Sequence, residues 1–227
     1  MWSHTLYLEY LVLAGTIAPA ELIRVATSFD VRPDTGSAKL LRNPNVGVPG
    51  AYVLVLLVAI AVVISARVQL SYLTSWKTGW LWLVIAAGVG VAVIGLEALT
   101  GALFLLVGGN RTLRFGVSVH ARQVNAGFLS AITLTAVAEE VLYRGIWIGI
   151  FSERLHLSYA IAIGSAALAY ALGHLFFGTA MVGQKIVTGV VYGVILVASG
   201  SVLVPIVAHV CQNFTVFGIA AREGWKS

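Results

Sequence analysis

Long apolar stretches, separated by short polar segments, make up most of this chain. A helix needs about 20 apolar residues to cross a bilayer, and runs close to that length recur along the sequence. The strands of a membrane barrel would instead alternate apolar and polar positions. The pattern predicts an all-α polytopic membrane protein, a bundle of about 7–8 transmembrane helices. The predicted spans are residues 6–23, 51–66, 79–108, 125–151, 157–177, 183–199 and 202–221.

Two of the predicted spans are less regular than the others. The first contains Glu9 and Glu21, which we expect near its ends, where water can solvate them. Segment 79–108 is long for one span and short for two, so we interpret it as one tilted helix with a partly embedded extension. Its only charged residue, Glu97, is interpreted as a helix-packing residue outside any functional site.

The polar segments divide the chain into two regions. We predict N-terminal transmembrane helices and a basic interfacial segment in residues 1–124, followed by a core of four transmembrane helices in 125–227. The interfacial segment, 109–123, interleaves arginines with apolar residues, a pattern typical of contact with lipid headgroups. Gly200 and Pro205 are expected to mark the last turn and the start of the last helix.

Composition and charge agree with a membrane protein. Hydrophobic residues make up 59% of the chain and charged residues 10%, whereas soluble domains have about 25% charged residues. The net charge of +5 comes from basic residues scattered through short loops, which argues against nucleic-acid binding. Their bias towards one side predicts a cytoplasmic C-terminus and an outside N-terminus. The high Ala, Val and Gly content favours a prokaryotic cytoplasmic membrane as the location.

Three ionisable residues lie close together within the span at 125–151. A charge at the centre of a span costs about 2.5–3.5 kcal/mol on insertion scales, so such residues usually face the protein interior and serve a function. Glu140 and Arg144 are four residues apart, on one face of a helix, where they can pair. Glu139 lies about 100° around the helix from Glu140, and we expect it to point into a cavity.

The next spans carry two further polar pairs at the same spacing. Tyr170 and His174 are four residues apart in AYALGH, and His209 and Asn213 are four apart in AHVCQN. Any one of these pairs is best explained by helix packing, since polar side chains commonly bond across membrane helices. Together with Glu139 they place carboxylates, imidazoles and an amide on three polar-bearing spans, which favours a functional site.

The three motifs, in this order, resemble those of the CPBP intramembrane proteases. That family includes the CAAX prenyl proteases of the Rce1 type and the bacterial abortive-infection (ABI) proteins. The motifs here are EEVLYR at 139–144, YALGH at 170–174 and HVCQN at 209–213. The resemblance covers residues 125 to about 221, with Tyr170 standing where the family usually has Phe.

The resemblance implies an intramembrane endopeptidase that cleaves a membrane-anchored protein or peptide in contact with the lipid bilayer. It implies Glu139 as the general base and His174 as the residue that helps to hold the attacking water. His209 and Asn213 would stabilise the oxyanion. Glu140, Arg144 and Tyr170 would shape the site. Substrates in the family are prenylated C-terminal tails, leader peptides or sorting tags, and the sequence does not choose among them.

Three alternatives stay open. Glu139, His174 and His209 could bind zinc, although no H-E-x-x-H or H-x-x-x-H pair supplies two ligands from one helix, so we favour a reaction without a cofactor. A non-catalytic membrane scaffold or chaperone would keep the fold, but it would not need every catalytic group. A small transporter or proton relay also uses buried Glu and His, and an inverted repeat would support it; we find none in the sequence.

Overall fold

The computed structural model describes residues 3–17, 19, 47–75, 78–107 and 126–223, and every element in them is helical. Glu21 and the predicted interfacial segment 109–123 lie outside these residues. The α-helices are α1 (Ser3–Gly15), α2 (Gly47–Ser65), α3 (Ser71–Thr74), α4 (Trp80–Val107), α5 (Ala126–Glu139), α6 (Tyr159–Leu172), α7 (Thr179–Ser199) and α8 (Leu203–Glu223). Between them lie two π-helical stretches, Glu140–Trp147 and Ile150–Arg154, and a 3₁₀ turn, Leu175–Phe177.

The helical class predicted from the sequence is confirmed. Among the described residues, three helical stretches are long and apolar enough to cross a bilayer, namely Trp80–Val107, Ala126–Arg154 and Thr179–Ser199. Shorter apolar helices lie at Ala51–Ser65, Tyr159–Leu172 and Leu203–Ile219. The apolar lengths therefore fit an integral membrane protein, while the figure of 7–8 spans stays a prediction.

Several predicted boundaries differ from the structure. Helix α1 ends at Gly15, although the first span was predicted to reach residue 23, and α7 begins at Thr179 instead of residue 183. Segment 79–108 forms one uninterrupted helix of 28 residues, α4, so its supposed extension continues the same helix. At 1.5 Å per residue α4 is about 42 Å long. The span predicted to reach residue 177 instead ends as α6 at Leu172, where Gly173 is the C-cap. Glycine is a weak helix former, and His174 consequently lies just beyond the helix, at the start of the 3₁₀ turn.

The turn between α7 and α8 follows from the local sequence. Gly200 closes α7 in the left-handed conformation, with φ of 68°, and its N–H bonds to the Leu196 carbonyl. A residue without a Cβ adopts that conformation at little cost. Pro205 lies in the first turn of α8. N–H groups in that turn have no partner within the helix, so a residue without an N–H costs no helical hydrogen bond there. This turn sets the start of the helix that carries His209.

Helix α1 packs against the stretch 126–154 through polar contacts. The Thr16 hydroxyl accepts a hydrogen bond of 2.9 Å from Trp147 Nε1, and the Thr16 carbonyl accepts one of 3.1 Å from the Tyr143 hydroxyl. Glu9 is only 1% exposed and pairs with Arg154 at 3.1 Å. The expectation that Glu9 is solvated near a span end was therefore wrong, because the packing of α1 against this stretch buries the carboxylate.

Helices α4 and α8 meet at a glycine. A Cβ built on Gly90 would lie 2.2 Å from the Ala208 carbonyl oxygen, which belongs to the backbone and cannot move aside alone. Ala208 precedes His209, so this contact sets how closely the histidine-bearing helix approaches α4.

We expect Gly90→Ala to destabilise the protein by about 1–3 kcal/mol, because the added methyl group must push two packed helices apart. Gly95 on the same helix is the matched control, since a Cβ there would meet nothing within 4 Å. Gly95→Ala should be neutral or stabilising by up to about 1 kcal/mol. Thermal unfolding in detergent compares the two variants, and equal melting temperatures would contradict the close α4–α8 contact.

Candidate active site

The two adjacent glutamates lie at a change of helix type. The α-helix α5 ends at Glu139, and Glu140 begins the π-helical stretch that reaches Trp147. In a π-helix each N–H bonds to the carbonyl five residues back, and such turns are frequent at functional sites. The change of geometry between neighbouring residues helps their side chains reach different partners.

Glu140 is hydrogen-bonded to a histidine and forms an ion pair with an arginine. Its Oε1 lies 2.7 Å from His209 Nδ1 and 3.1 Å from Arg144 Nη1. Glu140 and Arg144 are almost completely buried, with 0% and 1% of their surfaces exposed. A buried carboxylate of this kind needs partners to offset its lost hydration, and here the guanidinium and the imidazole supply them.

Glu139 faces both histidines and a tyrosine. Its Oε1 lies 4.0 Å from His174 Nε2, and its Oε2 lies 3.9 Å from His209 Nε2. The Tyr52 hydroxyl, on α2, donates a hydrogen bond of 2.7 Å to Oε1. Glu139 is 4% exposed, so these three side chains form most of its polar surroundings.

The other ring nitrogen of each histidine is held by an acceptor. His174 Nδ1 lies 2.9 Å from the Tyr170 carbonyl, which can only accept, so this nitrogen carries the proton. His209 Nδ1 lies 2.7 Å from the Glu140 carboxylate, and an ionised carboxylate likewise accepts. The Nε2 atoms of both rings therefore face Glu139 in fixed orientations.

The gaps of 3.9 Å and 4.0 Å between Glu139 and the two Nε2 atoms are too wide for direct hydrogen bonds. They suit one bridging water, since two hydrogen bonds of about 2.8 Å from one oxygen span about 4 Å when they meet near a right angle. The arrangement can thus hold a water between a carboxylate and two imidazoles.

Arg144 is enclosed by aromatic rings. Its guanidinium carbon lies 4.4 Å from the centre of the Tyr170 ring and 5.6 Å from that of Tyr192. The Tyr170 ring also makes edge contacts with the rings of His174 and His209, at 4.8 Å and 6.4 Å. Cation–π attraction is strongest where water is excluded. Tyr170 therefore packs between the arginine and both histidines.

Asn213 lies one turn beyond His209 on α8, as its spacing requires, and is half-buried. It takes no part in the contacts that join Glu139, Glu140, Arg144, His174 and His209 within the described residues. Its predicted role at the oxyanion stays a prediction.

A second polar cluster, which was not predicted from the sequence, adjoins the site. Glu97 Oε1 accepts hydrogen bonds from Lys185 Nζ at 2.7 Å and Thr188 at 2.6 Å, and its Oε2 accepts one from Gln212 at 2.9 Å. Gln212 in turn accepts a bond of 2.8 Å from the Tyr192 hydroxyl. The Tyr192 ring lies 5.7 Å from the His209 ring. Glu97 is thus a junction of α4, α7 and α8 beside the site.

We expect Glu97→Gln to destabilise the protein by about 1–3 kcal/mol, because hydrogen bonds to a partly buried charged group are replaced by weaker ones and Lys185 loses its counter-charge. Thermal unfolding in detergent measures this change. Restoring neutrality with Glu97→Gln and Lys185→Met together should recover part of the loss. A single variant as stable as the wild-type protein would contradict the assignment of Glu97 as a junction.

Fold and site together define a helical membrane protein with a buried carboxylate–histidine centre. Residues 122–215 match the model of the family described as type II CAAX prenyl endopeptidase, Rce1-like. The matched region holds all three motifs and confirms the family resemblance that they indicate. It is less than half of the chain and does not include Tyr52 or Glu97. Searches of curated proteins and of solved structures returned no match.

Proposed function

We propose that this protein is an intramembrane endopeptidase that uses a water activated by Glu139 to hydrolyse a peptide bond of a membrane-associated protein or peptide. The observation that carries the proposal is the Glu139 carboxylate facing the Nε2 atoms of His174 and His209 across gaps that fit one water. The match of residues 122–215 to a family of CAAX endopeptidases supports the same reaction class.

The proposed reaction begins with a water held between the Glu139 carboxylate and the Nε2 atoms of His174 and His209. Glu139 takes one proton from this water while the water oxygen attacks the scissile carbonyl carbon, and a tetrahedral intermediate forms. The proton then passes from Glu139 to the leaving amine nitrogen as the carbon–nitrogen bond breaks. The products are a carboxylic acid and an amine, which become a carboxylate and an ammonium when the remaining proton is exchanged, and Glu139 is ionised again for the next cycle.

His209 is proposed to stabilise the oxyanion of that intermediate. Because its Nδ1–H is directed at Glu140, it can donate from Nε2 only when the ring carries both protons. A cationic imidazole of this kind is a strong donor to a developing negative charge. The Asn213 amide, one turn along α8, is proposed as a second donor once substrate is bound. Arg144 and Tyr170 hold Glu140 and both histidine rings in place.

The substrate class is the open part of the proposal. Family resemblance points to a membrane-anchored C-terminal tail, a sorting tag or a leader peptide. Because the matching family is described as CAAX prenyl endopeptidases, a prenylated C-terminal tail is the first substrate to test. With the C-terminus in the cytoplasm, as the loop charges indicate, His174 lies near the cytoplasmic end of α6 and such tails can approach from that side.

Zinc chemistry is the alternative that one observation favours. The Nδ1 atoms of both histidines are held by acceptors, as is common for histidines that ligate metals. The spacing does not fit as it stands. Ligands of a tetrahedral zinc lie only about 3.3 Å apart, less than the 3.9 Å and 4.0 Å found here. Within the described ranges, no three His, Cys, Asp or Glu side chains are arranged to hold a metal ion.

The experiment that tests the proposal is cleavage of a panel of membrane-anchored peptides by the purified full chain. The panel holds a prenylated C-terminal tail, a sorting tag and a leader peptide. Wild type and Glu139→Gln are compared, each with and without a strong chelator. We expect one class to be cleaved by the wild-type protein, with cleavage abolished in Glu139→Gln and unchanged by the chelator.

Three other outcomes would redirect the assignment. Cleavage that the chelator abolishes, and that added zinc restores, would replace the proposed water activation with the metal-dependent alternative. If neither wild type nor Glu139→Gln cleaves any peptide, the endopeptidase is overturned and the scaffold or transporter is favoured. Equal cleavage by both proteins would overturn Glu139 as the base.

A further inference from the structure

The active site receives a side chain from outside the region that matches the family. Tyr52 lies on α2, 87 residues before Glu139 in sequence, and its hydroxyl donates the 2.7 Å hydrogen bond to Glu139 Oε1. The tyrosine is 8% exposed and belongs to the same buried apolar cluster as Tyr143 and Tyr170. Its position is therefore set by packing, not by a mobile surface segment.

The bond distinguishes the two oxygens of Glu139. Oε1 already accepts a hydrogen bond from Tyr52, whereas Oε2 lies 3.9 Å from His209 Nε2. A hydrogen-bond donor withdraws electron density from the oxygen it contacts, so Oε1 is the weaker base of the two. The proton taken from water should therefore go to Oε2, on the side of His209.

The surroundings of Tyr52 keep its hydroxyl on the His174 side of the site. A Cβ built on Gly173 would lie 3.7 Å from the Tyr52 hydroxyl and 3.8 Å from the Tyr143 hydroxyl. Both hydroxyl groups thus lie beside the residue that precedes His174. Tyr143 is fixed in turn by its bond to the Thr16 carbonyl, so α1, α2 and the π-helical stretch together define where the Tyr52 hydroxyl lies.

We propose that Tyr52 is a positioning residue for the general base: it orients the Glu139 carboxylate and reserves Oε2 for the proton of the attacking water. The proposal rests on the endopeptidase function proposed above. The tyrosine can donate to Oε1 both when Glu139 is ionised and when Oε2 carries the proton. It therefore holds the carboxylate in one orientation through the whole cycle.

The test is Tyr52→Phe in the full chain, which removes the hydroxyl and keeps the ring. With the peptide that the wild-type protein cleaves, we expect kcat to fall roughly 10- to 100-fold, by analogy with the loss caused by removing a residue that orients a metal ligand. KM should stay within about twofold, because the hydroxyl contacts Glu139 and not the substrate. Tyr72→Phe is the matched control, since Tyr72 is also buried in this cluster but lies beside Glu153 and Tyr159; it should keep wild-type kinetics.

A stability cycle shows whether the hydroxyl acts through Glu139. Tyr52→Phe should lower the melting temperature by roughly 2–4 °C, the effect of losing about one hydrogen bond in a chain of this size. In a Glu139→Leu background, which offers no acceptor, the same substitution should cause no further loss. Equal losses in both backgrounds would overturn the proposal, because the hydroxyl would then stabilise the fold without Glu139.

Failure of the positioning role can be told from failure of the proposed function. If Glu139→Gln is inactive and Tyr52→Phe keeps wild-type kcat, the endopeptidase stands and the positioning role is overturned. A rise in KM at unchanged kcat would also overturn it, since Tyr52 would then bind substrate. If wild type and Glu139→Gln do not differ, the proposed function fails first and the positioning role fails with it.

Discussion

Glu139→Gln should lower kcat by roughly 10²- to 10⁴-fold, the contribution typical of a general base. The amide has nearly the shape of the carboxylate, and its oxygen can still accept the hydrogen bond from Tyr52. It cannot, however, take a proton from water at neutral pH. KM should change little, because the substituted group acts on the water. Steady-state cleavage of the panel peptide that the wild-type protein cleaves measures kcat and KM, and thermal unfolding checks that the variant is folded.

Glu153→Gln is the control for this substitution. Glu153 belongs to the same helical stretch, but its carboxylate accepts hydrogen bonds from the backbone and side chain of Ser71, away from the histidines. It should keep wild-type kcat even if its melting temperature falls. A Glu139→Gln variant with more than about a tenth of the wild-type kcat would contradict the assignment of Glu139 as the base.

The sequence predicts those parts of the site that depend on residues close together in the chain. Glu140 and Arg144, Tyr170 and His174, and His209 and Asn213 each lie four residues apart, a separation that a helix converts into neighbours. Charge inside an apolar span is also visible without a structure, because it is costly there. These two signals are enough to draw attention to Glu139 and to the family motifs.

The change from α- to π-helix after Glu139 could not be predicted. Each backbone hydrogen bond spans four residues in an α-helix and five in a π-helix. The choice between the two helix types depends on how the stretch packs against α2, α6 and α8. The same holds for the position of His174, which lies beyond the end of α6 and not within it. Its ring still reaches Glu139, because Nδ1 bonds back to the Tyr170 carbonyl.

Tyr52 and Glu97 were missed for different reasons. A single tyrosine in an apolar span is usually a packing residue, and nothing near Tyr52 in sequence points to a partner 87 residues away. Glu97 did carry a signal, since a lone carboxylate in a long apolar helix needs buried partners. The polar residues Gln184, Lys185 and Thr188 on α7 are the candidates for that role that the sequence offers.

Arg144→Met should destabilise the protein by about 3–5 kcal/mol, because removing one partner of a buried ion pair leaves the other charge uncompensated. Here that charge is Glu140, which is 0% exposed and, among the described residues, keeps only His209 as a close polar partner. The substitution also removes the guanidinium that packs against Tyr170 and Tyr192. Thermal unfolding in detergent should show a fall in melting temperature of roughly 10 °C, and cleavage should fall with it.

The double variant Glu140→Gln with Arg144→Met distinguishes the effect of the Glu140–Arg144 charges from that of the guanidinium packing against the tyrosine rings. With both charges removed, no unpaired ion is left in the interior, and the amide oxygen introduced at position 140 can still accept the hydrogen bond from His209 Nδ1. Neutral replacement of a buried ion pair is often tolerated, so the double variant should recover most of the lost stability. A double variant as unstable as Arg144→Met would show that the guanidinium acts through its contacts with the tyrosine rings. Recovery of stability without recovery of cleavage would instead show that the charges of Glu140 and Arg144 act in the reaction, through the contact of Glu140 with His209.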